Sequence, residues 1–169
     1  MERKAIKFFA IALALIPFGF IIFSHTDAWP EFFARRTDTY TPQGPTIIFN
    51  DITPGDRTKP IEQFEGFAVR PVIAEPTYLL FQPRRHSKNI RVEIIARANS
   101  IEIGGRSGNG PESNYFVPTE KKVIDSTWSS WTATLPLDAM IVERTDARRI
   151  VFNADNTTLI RSVRIFYED

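Results

Sequence analysis

Two tryptophans separated by two serines, Trp128 and Trp131, are the side chains of this sequence best suited to stack on a ligand. A sugar ring presents an apolar C–H face to an aromatic ring, and neighbouring serine hydroxyls can bind its hydroxyl groups. In a strand, residues three positions apart point to opposite faces, so at most one of the two rings is expected in a core. The alternative is that Trp131 begins a core strand and Trp128 covers the edge of the fold.

The longest glycine-rich segment runs from Gly104 to Phe116 and offers further candidates for ligand contact. It follows a predicted strand, precedes no helix and matches neither phosphate-binding glycine pattern. A loop of this size that combines charges, amides and an aromatic ring is typical of a polar ligand site. With Trp128, the predicted ligand-binding residues are Arg106, Asn109, Glu112, Asn114 and Tyr115. The alternative is a solvated connection between strands.

The sequence argues against catalysis. It contains no cysteine and only two histidines, His25 beside an apolar run and His86 within the basic turn Arg84–Lys88. Neither histidine has the surroundings of a nucleophilic triad, and no nucleophile-elbow pattern occurs. Paired carboxylates for glycoside hydrolysis need only meet in space, so they are not located by sequence. The available carboxylates are Glu62, Glu65, Glu75 and Glu93, and ordinary surface charge is the expected role.

Composition also limits the partners and cofactors. Without cysteine there is no disulfide, thiolate metal site or thiol nucleophile. A net charge of +1 over 169 residues gives no footprint for nucleic acid. The basic turn Arg84–Lys88 could contact anionic polymers or lipid headgroups, although a solvated turn is the simpler interpretation. No cofactor is expected, with one alternative: a structural calcium ion, if the first and last strands are neighbours. Its ligands would be Asp51, Asp56, Glu168 and Asp169.

The amino-terminal segment has the pattern of a membrane helix. A basic tail at residues 1–7 precedes an uncharged and largely apolar run at residues 8–23. Sixteen helical residues extend roughly 24 Å, against a bilayer core of about 30 Å. Because basic residues stay on the cytoplasmic side, the amino terminus is predicted to be cytoplasmic and the carboxyl-terminal domain extracytoplasmic. We therefore expect a single-pass cell-membrane protein whose helix contacts lipid.

Residues 24–45 are expected to form an interfacial segment and a stalk. Trp29, Phe32 and Phe33 suit the headgroup region, and the residues after them are polar and rich in turn formers. A cleaved signal peptide would share the basic start and apolar middle, but residues 26–28 form a poor cleavage site. A buried helix of a cytosolic protein is the remaining alternative.

Residues 46–169 carry the two-residue alternation of β-strands. From Ile90 to Ala98, apolar residues alternate with Arg91, Glu93 and Arg97. Other predicted strands are 46–49, 67–69, 78–81, 101–103, 131–135, 140–142, 150–152 and 159–167, with turn signals that include 53–56, 82–83, 104–105 and 155–156. No helical pattern lies between them, so the pairing should be antiparallel. We predict a mainly β fold, an antiparallel two-sheet sandwich of jelly-roll type.

Two stretches resemble carbohydrate-binding modules and galactose-binding-like domains. Residues 78–110 follow the order of strand, basic turn, long strand and short strand running into a glycine-rich loop, and residues 149–167 resemble the paired closing strands. The resemblance covers roughly residues 46–169. It implies a jelly-roll fold that often binds glycans through loops or a concave face. No binding residue is carried over, because the sequence shows neither a definite aromatic platform nor a calcium loop.

These patterns predict a membrane-anchored, extracytoplasmic β-sandwich that binds a cell-surface glycan and is not an enzyme. The alternative is a structural or assembly subunit of a membrane or cell-envelope complex, whose sandwich contacts an envelope protein partner.

Overall fold

The computed structural model describes residues 37–40, 52–84, 86–110, 113–143 and 146–168. These residues belong to the unit Thr37–Asp169 and contain eleven strands. The strands are β1 Thr37–Tyr40, β2 Glu62–Phe64, β3 Phe67–Pro71, β4 Thr77–Phe81, β5 Asn89–Arg97, β6 Ile101–Arg106, β7 Asn114–Val117, β8 Glu120–Val123, β9 Ser129–Pro136, β10 Arg148–Ala154 and β11 Leu159–Glu168. Two short 3-10 turns, Gly55–Arg57 and Leu137–Ala139, are described over their whole length.

All described strand pairs are antiparallel, and the strands form two sheets. The large sheet has the order β2-β3-β11-β5-β9-β8. Strand β1 also pairs with β11, along the same edge of β11 as β3. The small sheet has the order β4-β10-β6-β7. The prediction of two antiparallel sheets without crossover helices is therefore confirmed for the described residues.

The alternating residues of the long strands build the core between the sheets. On β5, Ile90, Val92 and Ile94 are fully buried, and they pack with residues of the small sheet such as Phe81 and Phe152. Burial of each such side chain contributes roughly 1.5–3 kcal/mol to folding. The predicted strand at 90–98 is thus confirmed by its burial as well as by its pairing with β11 and β9.

A second, smaller hydrophobic layer lies on the outer face of the large sheet. It contains Val69, Ile95 and Trp128, with Phe64 and Leu159 packed against it. Ile95 follows the core residue Ile94, so β5 is apolar on both faces near its end. The hairpin β2–β3 supplies the side chains that cover this part of the sheet.

Several sequence-based boundaries differ from the structure. Thr37–Tyr40, which we assigned to the stalk, pairs with β11 as strand β1. The apolar run 140–142 is not a strand: its amide at Ile141 bonds to the carbonyl of Arg106 across the fold, outside any ladder. Strands β2, β7 and β8 were missed because they are short, and β8 is exposed throughout.

The pair Gly104-Gly105, interpreted as a turn, lies inside β6 and pairs with both β10 and β7. Glycine is required there by crowding, since a Cβ on Gly104 would overlap the carbonyl oxygen of Tyr115. A Cβ on Gly105 would lie 2.6 Å from the hydroxyl oxygen of Tyr115. The two glycines therefore allow β7 to pack closely on β6.

The predicted membrane helix at 8–23, the rest of the predicted stalk and the predicted strand at 46–49 lie outside the described residues. Within the described ranges, no helix has the length and apolar character needed to cross a membrane.

The close approach at Gly104 generates a prediction about stability. Gly104→Ala should lower the free energy of unfolding by more than about 2 kcal/mol, because the methyl group meets backbone that cannot rotate away. Urea unfolding followed by tryptophan fluorescence measures this change. Gly55→Ala is the matched control, since a Cβ at Gly55 meets no atom within 4 Å. Equal stability of the two variants would contradict the assigned pairing of β6 with β7.

Candidate functional site

The structure places the predicted ligand-binding residues at two ends of the sandwich, with Trp128 at one end and the glycine-rich loop at the other. Trp128 immediately precedes β9, whereas the hydroxyl of Tyr115 donates to the carbonyl oxygen of Pro136, the last residue of β9, at 3.4 Å. The 8 residues of β9 extend about 25 Å. Trp128 and the glycine-rich loop therefore do not share one concavity.

Trp128 is a component of the outer hydrophobic layer. Its side chain is 2% exposed, and its ring meets the edges of Phe64 and Phe67 at centroid distances of 6.1 and 5.9 Å. Trp131 points to the other face and is buried in the main core, with the ammonium group of Lys121 4.6 Å from its ring centroid. The expected opposite orientation is confirmed, and neither tryptophan offers an open stacking surface.

Tyr115 packs against the main core rather than standing free in the loop. Its ring covers Gly105, and its side chain is half buried. Burial, assisted by the negative charge of Asp138, raises the pKa of Tyr115 to about 12. The hydroxyl is therefore a neutral hydrogen-bond donor at ordinary pH.

The glycine-rich loop is closed by bonds to itself. The Arg106 guanidinium donates to the carbonyl oxygens of Gly108 and Asn109, at 2.8 and 3.1 Å. Asn114 pairs with Arg106 at the start of β7. Glu112 lies outside the described residues. The structure thus uses Arg106 to shape the loop, and the exposed Asn109 side chain is the member of this set that most clearly faces solvent.

A polar groove of about 640 Å³ lies at the Trp128 end of the sandwich. Four segments that are separate in sequence line it: the end of β2 with the β2–β3 turn, the end of β5 with the residues after it, residues 121–129 from β8 to the start of β9, and the β10–β11 turn. The lining residues include Phe64, Glu65, Arg97, Asn99, Lys121, Asp125, Ser126, Thr127, Ser129 and Thr157. Two carboxylates, two cations, an amide and four hydroxyls thus surround one aromatic ring.

Two aspartates fix the loops that form the walls of this groove. Asp125 Oδ1 accepts the backbone N–H groups of Thr127 and Trp128 at 2.8 and 2.7 Å. Asp155 accepts the N–H groups of Thr157 and Asn99 at 2.9 and 3.0 Å. The turns are therefore held by side-chain-to-backbone bonds before any ligand arrives.

The electrostatics of the groove follow from these bonds. The amides of Trp128 and Thr127 lower the pKa of Asp125, so this carboxyl group is ionised at neutral pH. The hydroxyl of Thr127 donates to Glu65 at 3.2 Å and joins the β8–β9 loop to the β2–β3 turn. The Arg97 guanidinium lies 5.2 Å from the centroid of the Phe64 ring.

Sequence reasoning missed the groove, although one signal was present. The triplets Asp125-Ser126-Thr127 and Asp155-Asn156-Thr157 share the pattern Asp-x-Thr, and each folds into a turn bonded by its own aspartate. That pattern predicts two similar turns but not that they face each other. Their proximity depends on the order of strands in the sheet.

The two described carboxylates of the calcium hypothesis, Asp56 and Glu168, lie far apart, and Asp51 and Asp169 lie outside the described residues. Asp56 lies in the Gly55–Arg57 turn. This turn is near the start of β11, because Thr58 bridges to Val72 and the Val72 amide donates to the carbonyl oxygen of Thr158 at 2.9 Å. Glu168 ends β11, 10 residues further along the strand, and pairs with Arg91 at 3.5 Å. Ten residues extend about 30 Å, so the two carboxylates do not converge. The described residues include no cluster of three or more potential metal ligands.

Comparison with known proteins gives structural likeness only. No family model and no curated protein matches the chain. The chain is similar to the C-terminal CBM6 of LamC, a marine laminarinase from Zobellia galactanivorans, with 14% identity and a TM-score of 0.41 over 78% of this chain and 99% of that chain. It is also similar to CsCBM6-3 from Clostridium stercorarium in complex with cellobiose, with 12% identity and a TM-score of 0.44 over 78% of this chain and 93% of that chain.

Both neighbours are carbohydrate-binding modules, the group that the sequence also resembles. At these identities no residue of the groove or of the glycine-rich loop is matched to a residue of either structure.

The position of Trp128 predicts a structural role. Trp128→Ala should lower the free energy of unfolding by about 3–5 kcal/mol, because it empties the centre of the outer layer. Thermal and urea unfolding measure the change. Val123→Ala, at a side chain that is 66% exposed on the neighbouring strand, should change it by less than about 0.5 kcal/mol. A fully stable Trp128→Ala protein would return Trp128 to the set of ligand-binding candidates.

Proposed function

We propose that this chain is a non-catalytic binding module and that the groove at the Trp128 end binds a glycan. The observation that carries the proposal is the lining of the groove, which places planar polar groups and hydroxyls around a single aromatic side chain. Sites for polar ligands combine a few placed polar groups with an apolar wall. Phe64 supplies apolar surface, and Asn99 and Ser126 supply exposed polar groups.

The hydrogen-bonding capacity of the groove matches a ligand rich in hydroxyl groups. A saccharide hydroxyl both donates and accepts, so it needs carboxylates or amide oxygens as well as cationic or amide donors. The groove presents both kinds side by side, with Glu65 and Asp125 near Arg97 and Lys121. The side-chain amide of Asn99 is exposed and has no hydrogen-bond partner among the described residues, so it is available to a ligand.

The groove carboxylates support binding rather than hydrolysis. A glycoside hydrolase needs one carboxylic acid that stays protonated, with a raised pKa, to protonate the leaving group. The pKa of Asp125 is instead lowered by the amides of Trp128 and Thr127. Asp125 and Glu65 are both engaged in holding the loops. Their chemistry is that of fixed acceptors.

Asparagine variants at the two ends of the sandwich distinguish the groove from the glycine-rich loop. Asn99→Ala should weaken glycan binding about five- to tenfold, the cost of one or two hydrogen bonds. Asn109→Ala removes the same exposed amide from the glycine-rich loop and should leave binding unchanged. A glycan array that includes cellobiose, the ligand of one structural neighbour, identifies the ligand, and titration calorimetry then measures both variants.

The opposite result, a loss of binding only in Asn109→Ala, would place the site in the glycine-rich loop. Binding of no glycan by the folded protein would contradict the proposed function itself.

We also propose that residues 8–23 anchor the chain in the cell membrane and that the β-domain lies outside the cytoplasm. The support is the order of features along the sequence: basic tail, apolar run and then aromatic residues. Full-length protein should stay in the membrane fraction after carbonate extraction of expressing cells. Recovery of a soluble product that begins near Trp29 would show cleavage instead.

The alternative, an assembly subunit, has one structural observation in its favour. Val123 and Ile124, at the end of the edge strand β8, are 66% and 50% exposed. The same membrane fraction, dissolved in mild detergent, tests this function, because an assembly subunit would purify with a stoichiometric partner and a glycan-binding module would not.

A further inference from the structure

A second pocket of about 560 Å³ lies at the end of the sandwich opposite the groove. It is formed by the β4–β5 connection, the first residue of β5, the last residue of β9 with the 3-10 turn after it, and the first residue of β10. Its polar lining residues are Arg84, Ser87, Lys88, Asn89, Asp138 and Arg148. The groove instead includes the last residue of β5, Arg97, so the whole length of that strand separates the two.

The charges in this pocket are predominantly positive. Arg84 is paired with Asp38, whose carboxylate lies 2.8 Å from the guanidinium. Lys88 and Arg148 have no carboxylate partner among the residues that the structure describes. Asp138 is the one acidic side chain in the lining. The lining therefore holds two cations that form no ion pair with a described residue, together with one carboxylate.

Backbone bonds fix the main chain that carries the two cations. The Lys88 amide donates to the carbonyl oxygen of Glu168 at 3.0 Å, and the Lys88 carbonyl accepts the amide of Leu137 at 2.8 Å. Arg148 begins β10 and is paired with Phe81 of β4. The Lys88 side chain is exposed, whereas the Arg148 side chain is half buried.

Arg148 has an unused hydrogen-bond donor. Its Nε is buried and has no hydrogen-bond partner within the part of the chain that the structure describes. A buried donor without an acceptor is costly, and the cost is relieved when the guanidinium turns toward an anion. Because no acceptor among the described residues holds this guanidinium, it can make that adjustment.

We propose that this pocket is a second binding site, which takes one singly charged oxyanion, a carboxylate or a sulfate ester, between Lys88 and Arg148. Ser87 and Asn89 provide neutral donors beside the cations. Asp138 in the lining repels additional negative charge, which favours a single charge over a polyphosphate. That a saccharide carries this oxyanion rests on the proposed function, whereas the binding of the oxyanion itself does not.

The site is tested by titrating the purified chain with methyl sulfate, glucuronate or glucose at low salt. Binding is detected as shifts of backbone amide signals in NMR spectra. Methyl sulfate and glucuronate should bind saturably and shift the amides of Lys88 and Leu137, and glucose should not. Lys88→Ala and Arg148→Gln should each weaken binding of both anions about tenfold, the loss expected for one charge-assisted hydrogen bond. Lys122 is an exposed lysine on the edge strand β8, away from the pocket. The control variant Lys122→Ala should bind both anions as the unchanged protein does.

Equal binding of the anions by the unchanged protein and by the Lys88→Ala/Arg148→Gln double variant would overturn the site, as would equal shifts with glucose. The double variant must show the unfolding midpoint of the unchanged protein for this comparison. Binding of the anions without binding of any glycan would leave the pocket in place and remove the proposed function. Glycan binding with no response to either anion would overturn the second binding site and leave the proposed function in place.

Discussion

The pairing of β11 with β5 is the interaction on which the rest of the structure depends. The two strands match along their whole length, from Leu159 opposite Arg97 to Glu168 opposite Asn89. β11 also carries β3 at its beginning and β1 near its end. One end of this ladder therefore sets the position of the groove loops, and the other end sets the position of the second pocket.

A bulge in that ladder places a cation beside the aromatic rings at the outer hydrophobic layer. Ile160 and Val163 both face the core, which a regular strand does not allow for residues three positions apart. The register shifts between Ile160 and Ser162, and the extra residue, Arg161, places its guanidinium 3.4 Å from the centroid of the Phe67 ring and 5.7 Å from that of Trp128. The bulge restores the alternation and adds a cation over the aromatic rings.

The sequence predicted most of the fold but little of the candidate site. Alternation located β5 and β11, because an amphipathic strand records its own burial in its residue pattern. The residue pattern predicted a turn at Gly104-Gly105, but these residues lie inside β6. Glycine is needed there because Tyr115 of another strand approaches closely. The groove was not predicted for a related reason: its lining comes from four separate segments, and the tryptophan that pointed to this end of the sandwich is buried.

The two ends of the sandwich differ in how their charges are satisfied, and this difference governs how they can act. In the groove, Asp125 and Glu65 already accept hydrogen bonds from the loops, so a ligand meets fixed groups of both signs. In the pocket, Lys88 and Arg148 have no partner within the described residues, so the ligand must supply the negative charge. The ends are about 30 Å apart, judged by the 9 residues of β5. Because the Debye length is about 8 Å at physiological salt, charge at one end has little effect on binding at the other. A ligand that uses both must therefore be long enough to contact both, and the coupling between the sites is then set by the length and stiffness of the ligand.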